Sequence, residues 1–211
     1  SHISYYTMLA AWLAGDQGQV HSFEPTPDTF ELLQSNAGNK TNVTLNPIAV
    51  SSASGNINFN DYGPGLMGAN SRFTARADAN TLKRIQPANY EVVATTIDEY
   101  VESKALAPNF IKIDAEGSEH EILRGMLNTL SQYRPAVSME VGDMDIEGVP
   151  LSKELIELMT ERGYQAYEFG DNGFVPHEVR DRYEYGNILF LPKKMNLPGE
   201  CLGSKAFSGF Q

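Results

Sequence analysis

FIKIDAEGSEHEILRG, residues 110–125, fits a strand, a turn and a helix into sixteen residues. Phe110 to Ile113 is a short apolar run, Asp114 to Glu119 is a polar turn, and Ile122, Leu123, Met126, Leu127 and Leu130 continue at helical spacing. A buried strand feeding directly into a helix is the repeating unit of an α/β sheet. Downstream, Pro135 to Val141 reads as a strand, and Leu151, Leu155, Leu158 and Met159 mark a helix that stops at Gly163. Tyr164–Phe169 and Asn187–Leu191 follow with only a loop between them, the pattern of antiparallel neighbours. Upstream, Tyr90 to Thr95 is a strand, and Thr96 and Glu99 have capping-box spacing ahead of a helix that ends before Pro108.

Toward the N-terminus the alternation continues. Residues 3–14 are apolar over most of a helical circumference and stop at Gly15, which predicts a helix end buried on several sides. Gln19 to Phe23 is a strand, and Thr26-Pro27 reads as N-cap and first residue of a helix closed by Gly38. Val43 to Val50 is a strand interrupted at Pro47, and Ile57 and Phe59 suggest a shorter one. Residues 60–89 break the rhythm as a loop insertion, with three glycines and a proline at 63–68. The sum is one α/β domain over 1–192, its sheet mostly parallel with a C-terminal antiparallel hairpin, and a polar tail at 193–211. Nicotinamide-binding domains of this class usually finish on parallel strands, whereas α/β small-molecule methyltransferases finish on such a hairpin.

Composition narrows the partners. With 16 Lys and Arg against 27 Asp and Glu, the formal charge of −11 repels phosphate backbones, and no basic run offsets it. Nucleic acid and anionic membranes are therefore not expected, and no stretch approaches the ~18 apolar residues of a membrane span. The single cysteine, Cys201, cannot form an internal disulfide, which fits a cytoplasmic location.

Two acidic features stand at strand ends, where α/β sheets bind ligands. Glu24 follows the QVHSF strand and precedes a helix start; a carboxylate there can accept both hydrogen bonds of a ribose diol, or simply complement the helix dipole. Asp114, Glu116 and Glu119 place three carboxylates within six residues. Mutual repulsion and partial burial can raise one of their pKa values and make a general base, while the plainer reading is a helix cap with two dipole-favoured acids. Asp114 is the first candidate for that base and Glu116 the second. Gly117 suits a tight strand-to-helix turn.

VHSFEP (20–25), the helix running to Asn36 with Asn39 shortly after, IAV (48–50), Thr96-Ile97-Asp98, the 110–125 stretch and RPAVSMEV (134–141) together resemble the FkbM family of S-adenosylmethionine-dependent methyltransferases. KIDAEGSE followed by Gly125 is the most characteristic part. The resemblance implies the seven-stranded class I, Rossmann-like methyltransferase fold with S-adenosylmethionine as cofactor. It places Glu24 and Pro25 at the cofactor ribose, Asn46 and Ala49 near the adenine, and Asp114 at the cofactor as well as in catalysis. It further implies O-methyl transfer to a hydroxyl of a sugar or natural product. The alternative is a non-catalytic or truncated binding domain of the same fold. One departure bears on this choice. The family opens with a strand and a D-x-G-A-N-x-G turn, and here His2 to Tyr6 resembles the helix that follows that turn. The expectation is a missing first strand, a slot between the strands ending at Phe23 and Ile113, and weak donor binding by this chain alone.

Smaller signals carry less. His2, His21, His120 and His177 show no ligand spacing. Asp114, Glu116 and Glu140 offer oxygens of the kind a hard cation takes, but an acidic chain produces such groups by composition alone, and no metal is expected. Arg72 and Arg76 are candidates for contact with an anion, and Asp143, Asp145 and His177 for the acceptor pocket.

Overall fold

The computed structural model describes residues 4–61, 88–143, 145, 148–195, 197 and 199–201. Arg72, Arg76 and His2 lie outside them, as does most of the expected loop insertion. In chain order the elements are α1 (Tyr5–Ala14), β1 (Val20–Phe23), α2 (Pro27–Ala37), β2 (Val43–Asn46), β3 (Ala49–Val50), β4 (Gly55–Asp61), β5 (Ala88–Thr95) and α3 (Ile97–Ser103). There follow β6 (Phe110–Ile113), α4 (Glu119–Arg124), α5 (Leu127–Gln132), β7 (Ala136–Val141), α6 (Ser152–Glu161), β8 (Tyr164–Gly170), β9 (Gly173–Pro176) and β10 (Gly186–Pro192).

The strands form three ladders. β1 pairs with β2 in parallel, β5 lies between β3 and β4, and the third runs β6-β7-β10-β8-β9. β6–β7 and β3–β5 are parallel, whereas β7–β10, β10–β8, β8–β9 and β4–β5 are antiparallel. The expected hairpin is present, with β10 inserted between β7 and β8. The expectation of a mostly parallel sheet is corrected: β4 and β9 add antiparallel partners, and the parallel pairs fall into separate ladders. Among the described residues no strand joins β1 to β6.

Local chemistry explains the boundaries. Thr96 caps α3, its hydroxyl accepting from Glu99 N at 3.0 Å, as its spacing predicts. Pro27 starts α2, but the Thr26 hydroxyl donates to Glu24 Oε1 at 2.8 Å rather than capping the helix. The single helix expected after the 110–125 turn is two, broken at Gly125-Met126. Arg134 closes α6 by donating to the carbonyls of Arg162 and Gly163 at 2.7 and 2.8 Å while its guanidinium lies over the Tyr164 ring.

The main core gathers Ile113, Leu123, Met126, Val137, Met139, Ile156, Met159, Tyr164 and Phe190 between the five-stranded ladder and its helices. Helix α1 departs from expectation. Only its Thr7 and Ala11 are buried, and Trp12 and Leu13 stand 77% and 68% exposed. It is held by small polar contacts instead: Thr7 Oγ1 meets Ser22 Oγ of β1 at 2.8 Å, and Lys112 of β6 sits over the Tyr6 ring.

Gly125 is where the layers come closest. A Cβ there would collide with the Ser51 carbonyl oxygen and meet Thr96 Cβ at 3.3 Å, and the Gly125 carbonyl accepts from Asp98 N. A backbone oxygen cannot retreat as a flexible side chain can. Gly125→Ala should therefore destabilise the fold by about 1–3 kcal/mol, read as a lowered urea midpoint with the slope unchanged.

Candidate active site

The turn after β6 sets the site. Glu116 has φ 52° and Gly117 φ 97°, both in the left-handed region. Gly117 adopts it without a Cβ penalty, and the turn is fastened by Glu119, whose carboxylate accepts from Ala115 N at 2.8 Å and Gly117 N at 2.9 Å. Burial pushes the Glu119 carboxyl up, and these two N–H groups offset part of that shift. Glu119, an apparent third member of the acidic cluster, is thus the buried clasp of the loop.

With the loop so folded, one oxygen from each of Asp114, Glu116 and Glu140 lies within 4.8 Å of the others. Glu140 arrives from β7 through the parallel register, in which Lys112 faces Ser138 and Ile113 faces Met139, so Asp114 continues opposite Glu140. Glu140 is 5% exposed, and its Oε1 is buried without a hydrogen-bond partner. Burial first, then the charges of Asp114 and Glu119 push its carboxyl from an ordinary 4.5 to about 7. Lys112 partly balances the remaining charge, its Nζ lying 3.2 Å from Asp114 and donating to Asn187 Oδ1 at 2.9 Å.

Glu140 and Glu119 line a small pocket of about 20 Å³, roughly the room of one water molecule, together with Gly117, His120, Gly142 and Tyr185. The His120 imidazole faces Glu121 at 3.2 Å. The pocket sits at the carboxyl end of the β6–β7 pair, the position expected for ligands in an α/β sheet.

The other predicted residues stand on neighbouring ladders. Glu24, just past β1, is 6% exposed, its Oε1 held by the Thr26 amide and hydroxyl, with Pro25 half-buried between them. Asn46 ends β2; its amide donates to the Ser22 carbonyl and its Oδ1 accepts from the Tyr100 hydroxyl. Ala49 is buried in the small β3–β5 ladder beside Val92 and Ala94. The absence of a Tyr-x-x-x-Lys pair, expected as an argument against a nicotinamide oxidoreductase, is corrected: Tyr100 and Lys104 have that spacing, and the Tyr100 hydroxyl is engaged with His21 and Asn46.

The proposed acceptor-pocket residues have other partners. Asp143 accepts from the Ser152 and Tyr183 amides, and Asp145 pairs with Arg182. The His177 ring is bracketed by Glu168 and Tyr183.

The sequence model of the FkbM methyltransferase domain matches residues 2–166. The chain belongs to the FkbM methyltransferase family. It is 35% identical over 124 residues to the hexuronic acid methyltransferase AglP of Haloferax volcanii, a stretch covering 57% of this chain and 46% of that protein. The chain thus spans about half the length of the curated relative it matches. In fold it is similar to the methyltransferase FkbM of Methylobacillus flagellatus KT, with a TM-score of 0.50, 16% identity, and coverage of 90% of this chain and 42% of that one. The expected family is confirmed, together with a mixed α/β fold like that of an FkbM methyltransferase. Among the described residues no helix is long and apolar enough to cross a membrane.

The Glu140 shift has a sign. Between about pH 4.5 and 7 the native state holds a proton that the unfolded chain has released, so this group's contribution to stability falls as pH rises and levels off above 7. Glu140→Gln removes that slope. Its melting temperature relative to wild type should rise from pH 5 to pH 7.5 in a thermal scan.

Proposed function

We propose that this domain transfers a methyl group from S-adenosylmethionine to a hydroxyl of a sugar. The observation that carries the reading is the carboxylate group at the ends of β6 and β7, beside a pocket, in a chain of the FkbM methyltransferase family. The substrate class follows the name of the haloarchaeal relative, a hexuronic acid methyltransferase. A natural-product hydroxyl makes the same chemical demand.

The finer fold belongs to the same reading. β2-β1 and β6-β7-β10-β8 follow the order of a class I methyltransferase sheet, with one strand's place open between β1 and β6. In that arrangement Glu24 and Pro25 border the donor ribose, Asn46 and Ala49 the adenine, and Asp114 the donor's reactive end. The donor set fits. Glu24 is a buried carboxylate whose orientation Thr26 fixes, suited to a vicinal diol, and Asn46 is held at the neighbouring strand end. When bound, the donor supplies an electrophilic methyl on a sulfonium. The chain's own part is to hold the acceptor oxygen at near-attack distance and to receive its proton, with Asp114 and Glu116 facing the acceptor as the carboxylates nearest the turn. The β1 and β6 edges, which no strand joins among the described residues, favour a second reading, that of a methyltransferase-fold domain which holds the donor weakly.

The test is transfer of labelled methyl from S-adenosylmethionine to a panel of sugars that includes hexuronic acids, with the product identified by mass. O-methyl ethers support the reading, and N-methylation or no transfer overturns it. Glu24→Ala should weaken donor binding at least tenfold by calorimetry, since a lost charge-assisted hydrogen bond costs about 1.5–3 kcal/mol. Unchanged affinity would remove Glu24 from the donor site.

A further inference from the structure

We propose that Glu140, on β7, is the group that accepts the acceptor's proton, with Asp114 as its neighbouring carboxylate. The inference rests on the methyl-transfer reading above and goes past the sequence's own choice of Asp114 and Glu116.

Geometry separates the three carboxyls. Asp114 is already engaged by the Lys112 ammonium at 3.2 Å. Glu116, on the left-handed turn, also has a buried oxygen, but it is not part of the pocket lining. Glu140 has a buried oxygen with no hydrogen-bond partner, lines the pocket together with Tyr185, and has an oxygen within 4.8 Å of one of Asp114. An oxygen so placed has lone pairs for an incoming O–H and no competing donor.

The surroundings make the proton's residence favourable. Facing Glu140 are Asp114 and Lys112 from the β6 end, Glu116 from the turn, Glu119 from α4 and Tyr185 from the approach to β10, with His120 also on the pocket wall. The acids and burial raise Glu140's proton affinity, and Tyr185 lowers it. A carboxyl poised near neutrality is matched to base catalysis at neutral pH. In the step, the acceptor O–H bond breaks as its oxygen forms the new O–CH3 bond. The proton passes to the Glu140 carboxylate, giving the neutral acid, and the C–S electron pair stays on the donor sulfur. Solvent reached through the pocket then takes the proton.

Carbon-13 NMR of the glutamate side-chain carboxyls, with Glu140 assigned by its loss in Glu140→Gln, reads the first half of the proposal without any substrate. The expected midpoint is near 7, and it falls in Asp114→Asn as the neighbouring negative charge is removed. A midpoint in the ordinary carboxylate range, or one that Asp114→Asn leaves in place, overturns the pairing. With an active sugar acceptor, Glu140→Gln should lower kcat about 10²–10⁴-fold and abolish the rising limb of the pH–rate profile, while calorimetric donor affinity stays within twofold. Wild type that methylates no hydroxyl overturns the methyl-transfer reading itself. Wild type that does so while Glu140→Gln keeps pace overturns Glu140 alone. Should Glu140→Gln fail to fold, Glu140→Met supplies the assignment instead, and the Asp114→Asn titration then reads the native Glu140 carboxyl.

Discussion

A sheet normally transmits cohesion through its backbone ladder, but here β1–β2, β3–β5–β4 and the five-stranded ladder share no strand pairing among the described residues. The short helix α3 supplies what the ladders do not. Thr96 at its start follows β5 directly, and the Tyr100 hydroxyl meets His21 of β1 and Asn46 of β2 while its ring packs edge-on against Phe23. Asp98 accepts from Asn128 and Thr129 at the start of α5, and Ile97 and Val101 enter the main core. One seven-residue helix therefore contacts every ladder. The close approach at Gly125 follows from it, since the Gly125 carbonyl accepts from Asp98 N.

The carboxylate group depends on that framework. Bringing Asp114, Glu116, Glu119 and Glu140 together works against both desolvation and like-charge repulsion. The structure answers each acid differently: two backbone amides for Glu119, an ammonium for Asp114, and for Glu140 a raised proton affinity set first by burial. Such divergent environments on neighbouring titratable groups are the usual mark of acid–base work rather than of a stabilising network.

Much of this was legible in the chain. The Thr96–Glu99 cap, the turn at Gly117 and the terminal hairpin each depend on a few neighbouring residues or on one connection length, and local pattern resolves those. The proximity of Asp114, Glu116 and Glu140 was also within reach, because adjacent parallel strands bring their ends together. The different fates of these acids were not. That Lys112 turns toward Asp114 and that Glu119 folds back on its own loop depend on side-chain directions that spacing does not specify. The exposure of α1 escaped for a related reason: apolar residues around a helix announce a buried cylinder, and only the placement of β1 and β6 decides how much of it is covered. The separate ladders likewise follow from which strand edges meet, a long-range fact that periodicity within each strand does not encode.

The exposed side of α1 also governs how this protein can be watched. Its single tryptophan, Trp12, already stands largely in water in the native state. Indole emission is sensitive chiefly to the polarity around the ring, so its colour should change little when the chain unfolds. It should change much more when something apolar settles against α1. The natural fluorophore of this domain is therefore a reporter of contacts made at its first helix and a poor witness of its folding.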